Sequence, residues 1–311
     1  MATALNKQLW LKDFAGLMFA ANSFYKGAKD DSASIKEYGN IVLPQSSATN
    51  TVTEITSATS LPLAINKAAA TFTEYTPIML GFTPFFVQNL DETEFSFDLR
   101  KEYLADNVGY LLETAEKYIG TEWTVTASGS IIATTGTART NTFGNASAKA
   151  VKYANIVAAA TLLDRQNVPR AGRRLAVTPT FLADIILMPE FIDKDITGKA
   201  ALVDGFVGRI AGFDVYMTSQ LGSFVAAGTK KLYNASNLAT DLEAAVAFHP
   251  STVRYGMGTK ETGGMNIKFT DPTGYFNSGG AVEGWVRVGA TTKYGAVSNI
   301  VKGVVTIKEV V

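Results

Sequence analysis

Apolar positions along the chain follow two periodicities, and their order outlines the molecule. Trp10, Phe14, Leu17, Met18 and Ala21 recur at helical spacing and predict a first helix with one apolar face. Two roles are open to that face: packing on the chain's own body, or docking as an arm on a second copy. Residues 26–60 are polar, rich in Ser, Thr, Asp and Asn, and read as an extended connecting arm. From about Thr51 to Phe97 the composition is β-type, interrupted by Pro62, Pro77, Gly81 and Pro84, and Phe95-Ser96-Phe97-Asp98 alternates at period two. Asn89-Leu90-Asp91-Glu92 suits a turn between Pro84-Phe85-Phe86-Val87 and that alternating piece. This stretch contains no helix to cover a sheet face, and a two-stranded ribbon is marginal in water by itself. It should therefore lie against something else.

The strongest helical stripe follows. Tyr103/Leu104, Val108, Leu111/Leu112, Ala115 and Tyr118/Ile119 predict a helix over 99–119, about 32 Å long. Asp98 is placed as its N-cap and Gly120 as its stop. Gly109 inside it costs about 1 kcal/mol relative to Ala and calls for a packing reason. Residues 121–148 read as a loop with one short strand at Ser130–Ala133. A second helix, Tyr153–Gln166, ends at Val168-Pro169, because a residue before proline is pushed out of the helical region. Leu175-Ala176-Val177 is a short buried strand after the Gly172 turn. Thr178-Pro179 then restarts a helix that carries Leu182, Ile185 and Ile186 and stops before Pro189. Phe213–Met217 alternates as a strand, Leu242–Phe248 is uniformly apolar, Gly256–Gly280 reads as surface loops, and Trp285–Val310 returns to strand patterns.

Composition narrows the chemistry. The 311 residues, 47% apolar and 18% charged, support a sizeable core with room for two domains or one large elaborated one. Lys+Arg and Asp+Glu are equal at 28 each, so no net field draws the chain to nucleic acid or to an anionic membrane. No apolar run approaches the roughly 18 residues of a membrane span. With no cysteine there is no disulfide, thiolate metal site or cysteine nucleophile. The one histidine, His249, excludes multi-histidine metal sites and is the single candidate for a Ser-His-Asp arrangement. No Gly-x-Ser-x-Gly elbow accompanies it, so it reads as a hydrogen-bonded structural residue. Gly256–Gly263 lacks the Lys-Ser/Thr that a phosphate loop needs after its last glycine. Glu113 and Glu116 share a helix face beside Lys117 and read as solvated. Arg170, Arg173 and Arg174 form the densest basic spot, suited to phosphates or, preferably, to carboxylates of a neighbouring chain. Nothing here assembles a catalytic constellation or calls for a cofactor.

From Tyr153 to Tyr216 the order of features resembles the major capsid protein of tailed double-stranded DNA bacteriophages, the Hong Kong 97-type fold. The resemblance is carried by helix 153–166 running into Asn167-Val-Pro-Arg-Ala-Gly-Arg-Arg174 and Leu175-Ala-Val-Thr-Pro179. It continues through the helix with Leu182, Ile186 and Leu187, then Phe191, and through Leu202-Val-Asp-Gly205-Phe-Val-Gly208-Arg-Ile-Ala-Gly212-Phe-Asp-Val-Tyr216. Ala244–His249 and Lys293-Tyr-Gly-Ala-Val297 extend it, and upstream the ribbon followed by one long helix resembles that family's extended loop and spine helix.

The resemblance implies an α+β fold with an N-terminal arm (1–49), an extended β-loop (50–97), a peripheral domain (98–204 and 286–311, with the spine helix at 99–119) and an axial domain (205–285). It implies a structural, non-enzymatic subunit that assembles with copies of itself into pentamers and hexamers of an icosahedral virion shell in the host cytoplasm. The shell would enclose double-stranded DNA without sequence-specific grip. Further partners would be a portal and possible scaffolding or decoration proteins, with no membrane. Contacts between subunits are expected from Trp10 and Phe14 on the arm, Phe72, Tyr75, Phe85 and Phe86 on the ribbon, and Arg170, Arg173 and Arg174. Lys67 lies in the ribbon, but nothing identifies a partner for a covalent crosslink. Two alternatives stand beside this reading: the shell of an encapsulin-type nanocompartment, and a hydrolase using His249.

Overall fold

The computed structural model describes residues 24–25, 27–37, 40–46, 70–86, 96–139, 145–188, 206–226, 228–236, 238–258, 266–270, 281–293, 296–297 and 300–311. In chain order these form β1 (Lys29–Asp30), α1 (Ser32–Glu37), β2 (Ile41–Ser46), β3 (Ala70–Tyr75), β4 (Ile78–Gly81), β5 (Phe85–Phe86) and α2 (Ser96–Trp123). Then come β6 (Ile131–Ala133), α3 (Tyr153–Arg165), β7 (Arg174–Val177), α4 (Pro179–Ile186), β8 (Phe206–Ile210) and β9 (Phe213–Met217). The chain ends with β10 (Ala244–Phe248), β11 (Val253–Gly258), β12 (Asn266–Thr270), β13 (Ala281–Thr292), β14 (Ala296–Val297), β15 (Ile300–Val301) and β16 (Val304–Lys308). The helix expected over residues 10–21 lies outside the described residues.

β13 organises the first sheet. Arg287 pairs at once with Gly258 of β11 and Met79 of β4, so β11 and β4 lie on opposite sides of it. β12 and β5 continue those two sides further along the strand. Because side chains alternate, Val286, Val288 and Ala290 share one face of β13, and Leu80 of β4 joins them. Against that face lies the apolar stripe of α2: Leu104, Val108, Leu111, Ala115 and Ile119, all buried. Each Leu, Val or Ile side chain so taken from water contributes about 1.5–3 kcal/mol. The long helix is therefore held by the sheet, as its polar outer face requires.

The second sheet runs β6-β16-β10-β7-β9-β8. β10 is buried at every position, which explains its unbroken apolar run. Val246 and Phe248 join the core around α2, whereas Ala245 and Ala247 join a second core with Leu163 of α3 and Phe181 and Ile185 of α4. The neighbours repeat this division: Ala176 and Val304 go to the first core, Leu175, Val177, Val305 and Ile307 to the second. One sheet thus has an apolar core on each face, and its strands tie the two cores together.

Several elements differ from the sequence expectation, each for a local reason. The long helix covers Ser96–Trp123, so Asp98 falls inside its first turn and Gly120 does not stop it. Gly120 is buried, and a Cβ there would lie 2.1 Å from the Gln220 carbonyl oxygen, so this glycine serves close approach of another backbone. Near the end of the helix, the Lys230 ammonium donates to the carbonyl oxygens of Thr121 (2.9 Å) and Thr124 (3.2 Å), satisfying acceptors that a helix terminus leaves open. Trp123 completes it, donating from Nε1 to the Arg254 carbonyl at 3.1 Å and meeting Phe24 edge to face at 5.5 Å.

Phe24 is buried in the main core and β1 pairs with β11, so residues 24–25 and 29–30, at the start of the supposed connecting arm, pack on the body. The expected loops at 256–280 contain the last three residues of β11 and all of β12. The expected division at 204/205 and 285/286 also cuts across paired strands: β7 of one part pairs with β9 of the other, β10 with β16, and β13 spans the second boundary. Thr178 caps α4 as expected, accepting from the Phe181 N–H, with Pro179 following.

Two glycines of α2 separate packing from propensity. Gly109 has nothing within 4 Å of its missing Cβ. In urea denaturation of the unassembled subunit, Gly109→Ala is expected to stabilise by about 1 kcal/mol. Gly120→Ala should destabilise by about 1–3 kcal/mol, because the Gln220 backbone cannot yield as a side chain does.

Candidate interaction surfaces

β2 and β3 pair antiparallel from Ile41↔Tyr75 to Ser46↔Ala70 and form a ribbon that starts before the expected residue 50. Its two faces differ in fate. Ile41, Leu43 and Tyr75 are buried with Ile35 of α1 in a small cluster of their own. The opposite face presents Val42, Pro44, Phe72 and Glu74 to solvent, with Phe72 66% and Val42 49% exposed. Pro44 and Phe72 are direct cross-strand partners, so their side chains are neighbours on that face.

The ribbon is seated on the first sheet, on the side away from α2. Gly256 of β11 and Gly289 of β13 stand directly opposite each other. A Cβ on Gly256 would meet Ile35 Cδ1 at 2.3 Å, and one on Gly289 would meet Tyr75 Cε2 at 2.8 Å. The glycine pair therefore makes a hollow that Ile35 and Tyr75 fill. Around it, the Tyr75 hydroxyl donates to Asp31 Oδ2 (2.9 Å), and the Arg254 guanidinium pairs with both oxygens of that carboxylate at 2.8 Å. Burial, then the charge of and hydrogen bond to Asp31, push the Tyr75 hydroxyl far above its ordinary pKa. The Met257 N–H donates to Ser32 Oγ at 3.0 Å, and the Asp31 N–H to the Tyr255 carbonyl at 2.7 Å. Through the Arg254 carbonyl and Trp123, this root is joined to the end of α2. Sequence reading missed Asp31, Arg254, Gly256 and Gly289; the Gly-x-Gly spacing of 256 and 258 is the sign that was available.

The expected contact residues separate accordingly. Phe72 is on the surface. Tyr75 is not: it is spent inside the chain as the ribbon's anchor, because residues three apart in a strand face opposite ways. Phe85 and Phe86 belong by their backbone to the first sheet, pairing with Val282 and Ala281. Trp10, Phe14 and Lys67 lie outside the described residues.

Within the arginine cluster, Arg173 turns inward. Arg173 is 3% exposed and donates to the carbonyls of Pro169, Ala160 and Val168 and to Asp164. It ties down the end of α3 and the loop after it. Arg170 is exposed and forks onto the same Asp164 carboxylate at 2.8 and 3.1 Å. The carboxylate preferred as a neighbouring chain's thus belongs to this chain, on the last turn of α3. Arg174 lies 4.9 Å over the Tyr216 ring and fills the space above Gly27. Hydrogen bonds from Arg170 and Arg173 hold the Asp164 carboxyl below its ordinary pKa.

His249 joins two loops. Nε2 lies 3.1 Å from the Ala171 carbonyl, and Nδ1 accepts the Ser251 N–H at 3.2 Å, which assigns the neutral Nε2–H tautomer. Arg139 is buried between Asp184 (2.6 Å) and Glu309, and so ties the end of the chain to α4. Burial pushes the Glu309 carboxyl up, against the lowering effect of the Glu243 N–H and Arg139. Among the described residues no group of three His, Asp or Glu is placed to hold a metal, and no helix is long and apolar enough to cross a membrane.

The family model described as phage capsid protein matches residues 87–271, more than half of the chain. Among solved structures, one from Mycobacterium phage Che8 is similar with a TM-score of 0.63 at 17% identity, covering 92% of this chain and 91% of that one. The capsid structure of the cyanophage P-SCSP1u gives 0.63 at 17% identity, over 92% and 88%. The capsid of Ralstonia phage GP4 gives 0.60 at 11% identity, over 93% and 88%. A comparison with curated protein sequences finds no match.

Arg173→Ala should cost the unassembled subunit about 2–3 kcal/mol in chemical denaturation, because it strands buried carbonyls, whereas Arg170→Ala should change little. An acid whose folded-state pKa is depressed stabilises above its unfolded pKa and loses that contribution as pH falls through the folded one. Thermal stability should thus decline below the ordinary aspartate range, and the decline should be shallower in Asp164→Asn. An equal decline in both proteins would remove Asp164 from the account.

Proposed function

The chain belongs to the phage capsid protein family and is a shell subunit of the Hong Kong 97-type fold, and we propose that the outer face of its β2–β3 ribbon is the contact by which it holds the next copy. The observation that carries this is the asymmetry of the ribbon. One face fills the chain's own socket while the other leaves Phe72 and Val42 in water. A contact of about −4 kcal/mol is only millimolar by itself. A subunit held through several at once is retained by multivalency, and head-to-tail contacts of this kind close into rings when the rotation allows.

In this reading the subunit forms the pentamers and hexamers of an icosahedral head in the host cytoplasm. The head encloses double-stranded DNA and meets a portal and, where present, scaffolding or decoration proteins. Its role is structural and not catalytic, in keeping with the bonding of His249 inside the chain. The family match favours a phage head over an encapsulin-type compartment.

The test is sedimentation and electron microscopy of the full chain and its Phe72→Asp variant. The native chain is expected as closed megadalton particles. Phe72→Asp is expected to keep the native subunit's thermal midpoint while its particles are lost. Particles of Phe72→Asp indistinguishable from native ones would contradict the ribbon contact, and a native chain that stays monomeric at every concentration would contradict self-assembly.

A further inference from the structure

Among the described residues, the ribbon is rooted through a small buried cluster and the polar groups around it. Its buried face makes a cluster of only Ile35, Ile41, Leu43 and Tyr75, separate from both main cores. What joins this cluster to the body is the glycine hollow at Gly256 and Gly289, the Asp31 carboxylate with its Tyr75 and Arg254 partners, and the donation of Arg287 to the Ile35 carbonyl at 3.4 Å. The tilt of the ribbon against the sheet is thus set at this buried root, beside the point where β3 runs through residues 76–77 into β4 and its pairing with β13. Asp31 precedes α1, Tyr75 ends β3 and Arg254 lies in β11, so the carboxylate links three separate segments of chain. Asp31 and Arg254 are at most 14% exposed in their side chains, so water does not substitute readily for either.

For subunits joined head to tail, the rotation between neighbours decides whether and where an assembly closes. Rings of five and of six need somewhat different rotations, so what the root of the ribbon decides is the value about which that rotation varies. We propose that the Asp31–Tyr75–Arg254 knot over the Gly256/Gly289 hollow sets the angle of the ribbon and thereby the curvature, hence the diameter, of the closed shell. These are positioning residues: they are buried within the chain and act through the ribbon face proposed to meet the next copy. The inference rests on the ribbon contact proposed above.

Particle diameters of the full chain, measured by electron microscopy, test it with two variants and one control. Tyr75→Phe removes only the hydroxyl and leaves the ring in its hollow; Asp31→Asn removes the charge facing Arg254. The control, Leu163→Ala, opens a cavity in the second core, far from the ribbon root, and lowers the thermal midpoint without touching the knot. The two knot variants are expected to give a shifted or broadened diameter distribution, or open sheets in place of closed shells, while Leu163→Ala keeps the native diameter. Knot variants with the native diameter distribution overturn the inference, as does a diameter shift of equal size in Leu163→Ala. Should Asp31→Asn fail to fold, Tyr75→Phe decides alone. Failure of the ribbon contact itself reads differently, as Phe72→Asp particles of native form.

Discussion

The proposed contact between copies depends on how a two-stranded ribbon, too small to hold itself, is fixed to a sheet. The solution is steric first. Two glycines facing each other across β11 and β13 remove the side chains that would otherwise stand under Ile35 and Tyr75. Polar groups then fix what the hollow admits: Tyr75 and Arg254 satisfy the buried Asp31 carboxylate, and a buried charge with partners on both oxygens is far cheaper than an unpaired one. The opposite face of the ribbon is left over. Its aromatic and aliphatic side chains, Phe72 and Val42, are the ones proposed to be covered by the next copy.

The body beneath can carry such a limb because its two cores share one sheet. β10 contributes alternate residues to each, and β7 and β16 do the same. α2 lies between the first sheet and one face of the second. Its end is fastened by Lys230, by the close passage of Gln220 over Gly120 and by Trp123. Strain entering through the ribbon root therefore reaches a helix packed along much of its length, and interiors at this density transmit displacement instead of absorbing it.

Much of this was legible in the sequence where structure is local. The α2 stripe, the Thr178-Pro179 helix start and the β9 alternation are written in neighbouring residues. What escaped depends on distant chain. Gly120 reads as a stop until Gln220 is placed against it. The end of β11 reads as loop because Gly256 and Gly258 erase its alternation. Asp31 and Arg254 are separated by 223 residues, so no spacing rule connects them. The arginine cluster was visible, but not its direction, since Asp164 sits one helix turn away from a proline-directed bend that folds Arg170 and Arg173 back. That Phe72 and Tyr75 face opposite ways was readable from their three-residue spacing alone, and it separates the surface residue from the anchor.

The most direct measurement is an electron cryomicroscopy structure of the assembled particle, read at one residue. The account predicts Phe72 buried beneath a neighbouring copy, with Tyr75 still seated over Gly289 and bonded to Asp31. A Phe72 side chain facing solvent in the closed shell, or a ribbon lifted out of its glycine hollow, would contradict it.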